Sequence, residues 1–402
     1  VRDISIFSVW PMMAIVGLVV VALSGRSLRF LDVSPTVVAH RLDSIDGLRG
    51  FLATAVAFHH FVLHGYGAKF GVAAPSHFYM SLGPAAVAIF FMITGYLFWG
   101  RLLAKADSVN WAELYVNRFF RIYPLYLFLI ASYFAVVLCR VHFEIDQPFK
   151  QTVFQIAQWL ALGVVKNPAP FLNMDAAMSV VGPVWSLRYE WLFYASLPIL
   201  SIFARLGRPV ALTASALFLV LAVDGLIAEP FRSFLAEFLC GMLASSIMRT
   251  RPALKGDGAI RSIIACALIV AAFRVPDIIY SPVGTLLLGG FFMMVVSGTS
   301  IFGVLQTRGA HRLGNMSYSV YLLHSLVITI VMTRPAIVSY ALGNNSAFWI
   351  ICAFMYVITV AMSIATFSAI ERVGISVGKA AITRLKRASD VRPGTGVTTG
   401  QP

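Results

Sequence analysis

Ten stretches of this chain between residues 47 and 373 are apolar, nearly free of charge and mostly close to the roughly 17 to 25 residues a helix needs to cross a bilayer. This pattern constrains the fold more than any other feature. A soluble enzyme of 402 residues is excluded, because 59% of the chain is apolar and 12% is charged, about half the charged share of an average soluble domain. The sequence therefore predicts an all-α, polytopic integral membrane helix bundle.

The apolar runs place ten core spans near 47–64, 80–103, 119–140, 185–205, 210–227, 231–248, 260–274, 283–305, 316–334 and 347–373. The distribution of cations tests this count, since alternate loops of a membrane protein are enriched in Lys and Arg on the cytoplasmic side. Arg101, Lys105, Arg118 and Arg121 flank one such loop, and Arg205 with Arg208 another. Arg249, Arg251, Lys255 and Arg261 flank a third, Arg308 and Arg312 a fourth, and Lys379, Arg384, Lys386 and Arg387 follow the last span. The loops between them hold few cations, which puts both ends of the ten-helix unit and the C-terminus in the cytoplasm. The same parity makes the run 153–165 an interfacial or re-entrant piece within an outer segment 141–184, because one more span there inverts every later loop. The run 7–23 is expected to be an additional N-terminal helix, with Arg26, Arg29 and Arg41 holding its end inside. The expected organisation is an N-terminal apolar segment and basic linker (1–41), a membrane domain (42–378), and a basic, then disordered, cytoplasmic tail (379–402).

A formal charge of +14 reports topology here, and nucleic acid is not expected as a partner; membrane lipids are. The four cysteines show no paired spacing, so neither a disulfide framework nor a metal site is predicted.

Ionisable residues inside spans are costly and are the first functional candidates. Arg49 and His60 are eleven residues apart, three helical turns plus about 20°, so they share one face and differ in depth by roughly 16 Å. An arginine at the inner edge suits an anion, and a mid-membrane imidazole suits proton transfer from a hydroxyl. His59 points about 100° away. Arg118 and Arg121, at i and i+3, place two guanidiniums side by side, a geometry suited to phosphate and equally to headgroup anchoring. Pro124 follows, read as falling in the first turns of its helix, where proline is tolerated. Around Trp185, Ser186 and Glu190 share a face, with Tyr189 adjacent; aromatics with a hydroxyl and a carboxylate suit a sugar, and interfacial Trp and Tyr equally form an aromatic belt. Glu237, Tyr318, Tyr321 and His324 complete the set, the last three at successive i, i+3 steps.

Together these strings resemble the membrane acyltransferase-3 family: Asp46-Gly-Leu-Arg-Gly50 with Arg49 and His60 as R-x10-H, Phe90-Phe-Met-Ile-Thr-Gly-Tyr-Leu, Arg118-Phe-Phe-Arg121-Ile-Tyr-Pro, Trp185-Ser-Leu-Arg-Tyr-Glu190, Glu237-Phe-Leu-Cys-Gly-Met, and Leu313-Gly-Asn-Met-Ser-Tyr-Ser-Val-Tyr-Leu-Leu-His324. They run in order through about residues 42–373. Where the family has a Ser-Leu-Ser-Val-Glu-Glu-like string, this chain reads Ser-Leu-Arg-Tyr-Glu-Trp, leaving Glu190 as the only carboxylate there.

The resemblance implies an O-acyltransferase of the bacterial inner membrane that moves an acyl group, usually acetyl, from cytoplasmic acyl-CoA to a hydroxyl of a cell-surface or exported carbohydrate, free or lipid-linked. It implies His60 as the catalytic histidine and Arg49, Arg118 and Arg121 as the basic residues of the donor side. We expect Glu190 to act with His60 from the outer approach to the site, and Trp185, Ser186, Tyr189, Glu237, Tyr318 and His324 to contact substrate. His60 either deprotonates the acceptor or briefly carries the acyl group. The competing reading is a polytopic transporter of a polar or lipid-linked solute; such proteins often show two similar halves, and no internal repeat is visible.

Overall fold

The sequence folds, in a computed structural model, as helices joined by short turns; the structure describes residues 5–32, 43–70, 76–105, 108–223 and 225–390. Arg2, Asp3, Arg41 and the expected tail beyond residue 390 lie outside the described residues. Among the described residues there is no strand.

The helix order is α1 (Val9–Leu23), α2 (Asp43–Phe70), α3 (His77–Lys105), α4 (Trp111–Arg140), α5 (Phe149–Leu160), α6 (Trp185–Ala204), α7 (Pro209–Ala222), α8 (Phe231–Thr250), α9 (Ala259–Ala272) and α10 (Pro282–Val296), followed by α11 (Arg308–Asn315), α12 (Ser317–Met332), α13 (Pro335–Gly343), α14 (Asn345–Thr366) and α15 (Arg372–Asp390). A helix stands at each of the ten expected positions and at the expected N-terminal run. By length and apolarity, the helices at His77–Lys105, Trp111–Arg140 and Phe231–Thr250 and the continuous run Asn345–Arg387 suffice to cross a membrane; α11 and α12 together make a fifth, bent by 70°. Helices α1, α7, α9 and α10 are apolar but shorter. Phe218 on α7 and Ile260 on α9 are 74% and 75% exposed, which is the reverse of a water-soluble surface and suits lipid contact.

Helix ends follow the local sequence. Asn110 accepts from the Glu113 amide at 3.0 Å, Thr307 from Ala310 at 3.3 Å and Asn344 from Ala347 at 2.6 Å, each satisfying an amide that the first turn leaves without a partner. The run expected at 283–305 ends at Val296, where Gly298 takes a positive φ of 106°. The span expected at 316–334 is entered through the bent α11. Helix α4 begins at Trp111 rather than near residue 119, so Pro124 lies in its interior and not in its first turns. Gly374 of α15 packs there, and a Cβ on it would meet the Phe120 carbonyl at 2.5 Å and Pro124 Cγ at 2.9 Å.

Small residues bring the helices together, as is usual where lipid supplies no hydrophobic drive. Helices α3 and α8 cross most intimately. A Cβ on Gly95 would lie 2.2 Å from the Phe238 carbonyl oxygen, and one on Gly241 would lie 1.9 Å from that of Met92. The same device explains Asp46-Gly-Leu-Arg-Gly50. Cβ atoms on Gly47 and Gly314 would fall 1.9 and 1.8 Å from the carbonyl oxygens of Leu305 and Asp46. This seats the start of α2 against α11 and fixes the height of Arg49.

The N-terminal segment is fastened to the same place. Arg312, 1% exposed, donates from Nε and Nη2 to the two Asp32 oxygens at 2.6 and 2.9 Å, and from Nη1 to the Leu23 and Gly25 carbonyls at 2.6 Å each. The sequence predicts Arg312 as a cation flanking a cytoplasmic loop; its burial reflects the folding of α1 back onto α11. Asp32 is half exposed, and hydrogen bonding to Arg312 holds its carboxyl below the ordinary range.

The segment between α4 and α6 carries one helix too short to span. Helix α5 turns Thr152, Gln155 and Trp159 inward. Trp159 Nε1 donates to the Ala169 carbonyl at 2.8 Å, Gln155 Nε2 donates to Asn173 Oδ1 at 3.2 Å, and Tyr126 of α4 donates to the Trp159 carbonyl. Outward it shows Phe149, Val153 and Phe154. Polar residues inward and apolar ones outward suit an interfacial helix.

Candidate functional site

Two cavities lie toward opposite ends of the bundle, both lined by α2 and α12. The first, of about 460 Å³, is lined by Arg49 of α2, Arg101 of α3, and Arg118 and Arg121 of α4, with Ser186, Glu190 and Tyr194 of α6 and Ser317, Tyr318 and Tyr321 of α12 opposite. The Arg118 and Arg101 guanidiniums lie 4.9 and 5.4 Å from the Phe98 ring centroid. Asp46 pairs with Arg49 at 3.9 Å. Tyr194 donates to Glu190, and Tyr318 donates to the Ile122 carbonyl at 3.0 Å. Behind the arginines, Glu371 is buried in the π-helical turn Phe367–Glu371, accepts from Ser319, and lies within Coulombic reach of Arg121 and Arg49. Four guanidiniums facing two carboxylates and a buried third leave a cavity suited to anions. Arg118 Nε and Ser317 Oγ are buried in its wall without a hydrogen-bond partner. Polar atoms so placed suit the oxygens of an anionic ligand.

The second cavity, of about 470 Å³, is lined by His60, His64 and Gly67 of α2, Ser179, Thr329 of α12 and Thr333 just beyond its end, with three apolar residues between them. The His60 ring stacks on that of His324 at 5.1 Å and 18°, and stands 5.9 Å from His64. Ser179 and Thr329 hydroxyls lie 2.8 Å apart. An imidazole at the end of a hydroxyl-lined pocket suits an acceptor alcohol.

Arg49 and His60 thus reach one cavity each from a single face of α2, as their spacing requires. His59 turns away, its Nδ1 2.6 Å from the Tyr79 carbonyl, and its ring fills the space at Gly83. Glu190 was expected at the outer approach. The structure places it among the arginines, because Ser186, Glu190 and Tyr194 follow one another at i, i+4 steps down the same face of α6. His324 lies in neither wall and supports His60 by stacking. Three candidates lie apart from both cavities. Trp185 is 46% exposed and packs on Phe234, Tyr189 packs on Phe91 and Phe234, and Glu237 is fully buried between α8 and α10, where Thr285 donates to it at 3.3 Å. Arg101, Tyr194, His64 and Glu371 were not singled out from the sequence. Tyr194 and His64 could have been, since each sits four residues beyond a candidate on the same face.

A family model described as an acyltransferase domain matches residues 42–366. The chain belongs to the acyltransferase-3 family. This acyltransferase is 26% identical over 281 residues to the exopolysaccharide production protein ExoZ of Rhizobium meliloti (strain 1021), covering 65% of this chain and 82% of that protein. It is 26% identical over 338 residues to the acyltransferase MdmB of Streptomyces mycarofaciens, covering 73% and 80%. Protein 2 of the picA locus of Rhizobium radiobacter is 27% identical over 192 residues, 46% of this chain and 90% of its own length. No solved structure gives a significant match.

Proposed function

We propose that this acyltransferase moves an acyl group, acetyl first among the candidates, from cytoplasmic acyl-CoA to a hydroxyl of an exported or surface carbohydrate. The acceptor is free or lipid-linked, and the enzyme sits in a bacterial inner membrane. The observation that carries this reading is the pairing of an arginine cavity with a histidine cavity, joined at the His60–His324 stack. In this reading α2 to α4, α6 to α10, α12 and α14 all cross the bilayer, with the arginine end and the C-terminus inside, in keeping with the cation distribution. CoA phosphates dock on Arg49, Arg118 and Arg121, and Arg101 joins them. The thioester points toward His60 and the sugar hydroxyl enters beside His64. His60 removes the hydroxyl proton, either directly or after carrying the acyl group; both routes end in an ester and CoA thiol. Glu190, hydrogen-bonded by Tyr194, orders the arginines around the donor. The relatedness to an exopolysaccharide production protein supports a carbohydrate acceptor.

The test is transfer of label from acetyl-CoA into the carbohydrate fraction of membranes holding the full chain, with His60→Ala at matched expression. Label that depends on His60 supports the reading. Folded protein that moves no acyl group from acetyl-CoA or longer acyl-CoAs, with CoA binding absent, refutes it and favours the transporter.

A further inference from the structure

Tyr321 lines the arginine cavity and His60, stacked on His324, lines the other, and the Tyr321 side of this boundary has a chemistry of its own. Along α12, Tyr318, Tyr321 and His324 follow at i, i+3 steps, so each lies about 4.5 Å beyond the last. Tyr318 and Tyr321 line the arginine cavity, whereas His324 is already beneath His60. Tyr321 is therefore the deepest α12 residue of the arginine cavity, one step short of the histidines. On the other wall, Ser186 is the corresponding end of the Tyr194, Glu190, Ser186 row of α6. The two ends meet, with Ser186 Oγ and Tyr321 Oη 2.8 Å apart. The Pro183 carbonyl accepts from either hydroxyl, at 3.1 Å from Ser186 and 3.2 Å from Tyr321. Phe90 holds the Tyr321 ring by an edge contact at 6.1 Å.

Each hydroxyl can donate to the other or to Pro183, so with Ser186 donating to Pro183 the Tyr321 proton rests on Ser186 Oγ. Turning that proton to a third oxygen in the cavity leaves no donor orphaned. The position is the floor of a cavity whose mouth binds anions, next to the imidazole that attacks or activates. A ligand anchored by phosphates at the arginines presents its far end there.

We infer that the Tyr321 hydroxyl, supported by Ser186, is a catalytic hydrogen-bond donor to the thioester carbonyl oxygen of the acyl donor. This rests on the donor reading of the arginine cavity. When the acceptor oxygen, or His60, attacks the carbonyl carbon, the C=O π pair moves onto oxygen and the tetrahedral oxyanion accepts the Tyr321 O–H. Collapse restores C=O and breaks C–S and the thiolate leaves, giving the ester directly when the acceptor attacks and an acyl-imidazole when His60 does; in the second case the acceptor oxygen then attacks that acyl carbon and C–N breaks. On either route the hydroxyl proton passes by way of the imidazole to sulfur, and the products are ester and thiol. A fixed donor aimed where negative charge develops is worth more in a dry site than in water, and removing one such donor from an acyl-transfer enzyme costs on the order of 100- to 1,000-fold in turnover.

The experiment is isotope-edited infrared spectroscopy of acetyl-CoA carrying ¹³C at the thioester carbonyl, bound to the full chain in nanodiscs, with CoA affinity measured in parallel. The expected result is a carbonyl band at lower wavenumber than in free acetyl-CoA. That shift is largely lost in Tyr321→Phe and reduced in Ser186→Ala, with CoA affinity unchanged within about twofold and label transfer down by about 100-fold in Tyr321→Phe. Binding of acetyl-CoA with no carbonyl shift, or with a shift that survives both substitutions, overturns the inference and leaves the donor reading standing. Failure of the wild-type chain to bind acetyl-CoA overturns both. Should Tyr321→Phe not fold, Ser186→Ala and 3-fluorotyrosine at 321, a stronger donor that should enlarge the shift, decide the matter.

Discussion

Replacing Arg118 with glutamine separates what this arginine does for the protein from what it does for a ligand. Its guanidinium carbon and that of Arg101 lie 4.9 and 5.4 Å from one ring centroid. The two charges are therefore no more than about 10 Å apart, and at an effective dielectric constant near 20 they repel by at least about 1.6 kcal/mol. Against that stands the contact with Phe98, worth ~0.5–1 kcal/mol. The terms partly offset, so Arg118→Gln should change stability without ligand by only about 1 kcal/mol. A phosphate between the guanidiniums reverses the balance. It turns repulsion into shared attraction and satisfies the buried Nε, a charge-assisted hydrogen bond of ~1.5–3 kcal/mol. Losing that bond weakens binding by about 10- to 150-fold. Arg118→Lys should fall between, because an ammonium keeps the charge and loses the fork. Calorimetric titration of CoA into nanodisc-embedded protein, with thermal unfolding of the ligand-free form, measures both quantities. Unchanged CoA affinity, or a loss of several kcal/mol in ligand-free stability with affinity intact, refutes the reasoning and makes Arg118 a structural anchor.

Three further outcomes follow from the packing. Gly241→Ala puts a methyl 1.9 Å from the Met92 carbonyl and should cost ~1–3 kcal/mol in thermal unfolding, whereas Gly17→Ala, with open space around it, should cost nothing; equal effects would refute the close crossing of α3 and α8. The Arg312 partnership depresses the Asp32 carboxyl, so its contribution is present above the ordinary carboxylate range and lost as pH falls below about 4. Asp32→Asn should therefore lower stability at pH 7 and flatten part of the acid limb, and a wild-type-like acid limb would count against the pair. Glu237→Gln should leave acyl transfer within about twofold, since Glu237 reaches neither cavity, and a large loss in folded protein would return it to the site.

Much of this arrangement could be read from residue order. Helix positions followed from apolar runs and cation alternation, and the shared face of Arg49 and His60 followed from helical geometry alone. What escaped the sequence depended on partners far along the chain. Arg312 reads as a loop-flanking cation because nothing near it announces the turn at Asp32, 280 residues earlier. Arg101 looked like a loop residue because its neighbour Arg118 arrives on another helix. Glu190 was set at the wrong end of the site because counting from Trp185 gives height but not which helices α6 will face. Glycines 47, 50 and 314 were visible as a motif, yet their purpose, letting two backbones touch beneath Arg49, appears only when both are seen together.

The rings of Tyr321, His324 and His60 at the boundary of the cavities also have an electrical meaning. A voltage across a bilayer falls where the dielectric constant is low, so with water in both cavities it falls mainly across Tyr321, His324 and His60 rather than across ~30 Å of hydrocarbon. In the proposed reaction the acyl group leaves the sulfur as an acylium equivalent carried outward while the hydroxyl proton moves inward, so the two displacements cancel and alcohol and ester on one side, thioester and thiol on the other, keep their charge. The potential, about 2.3 kcal/mol per charge per 100 mV, therefore does no net work, and the acylation equilibrium should be the same in an energised and a de-energised membrane.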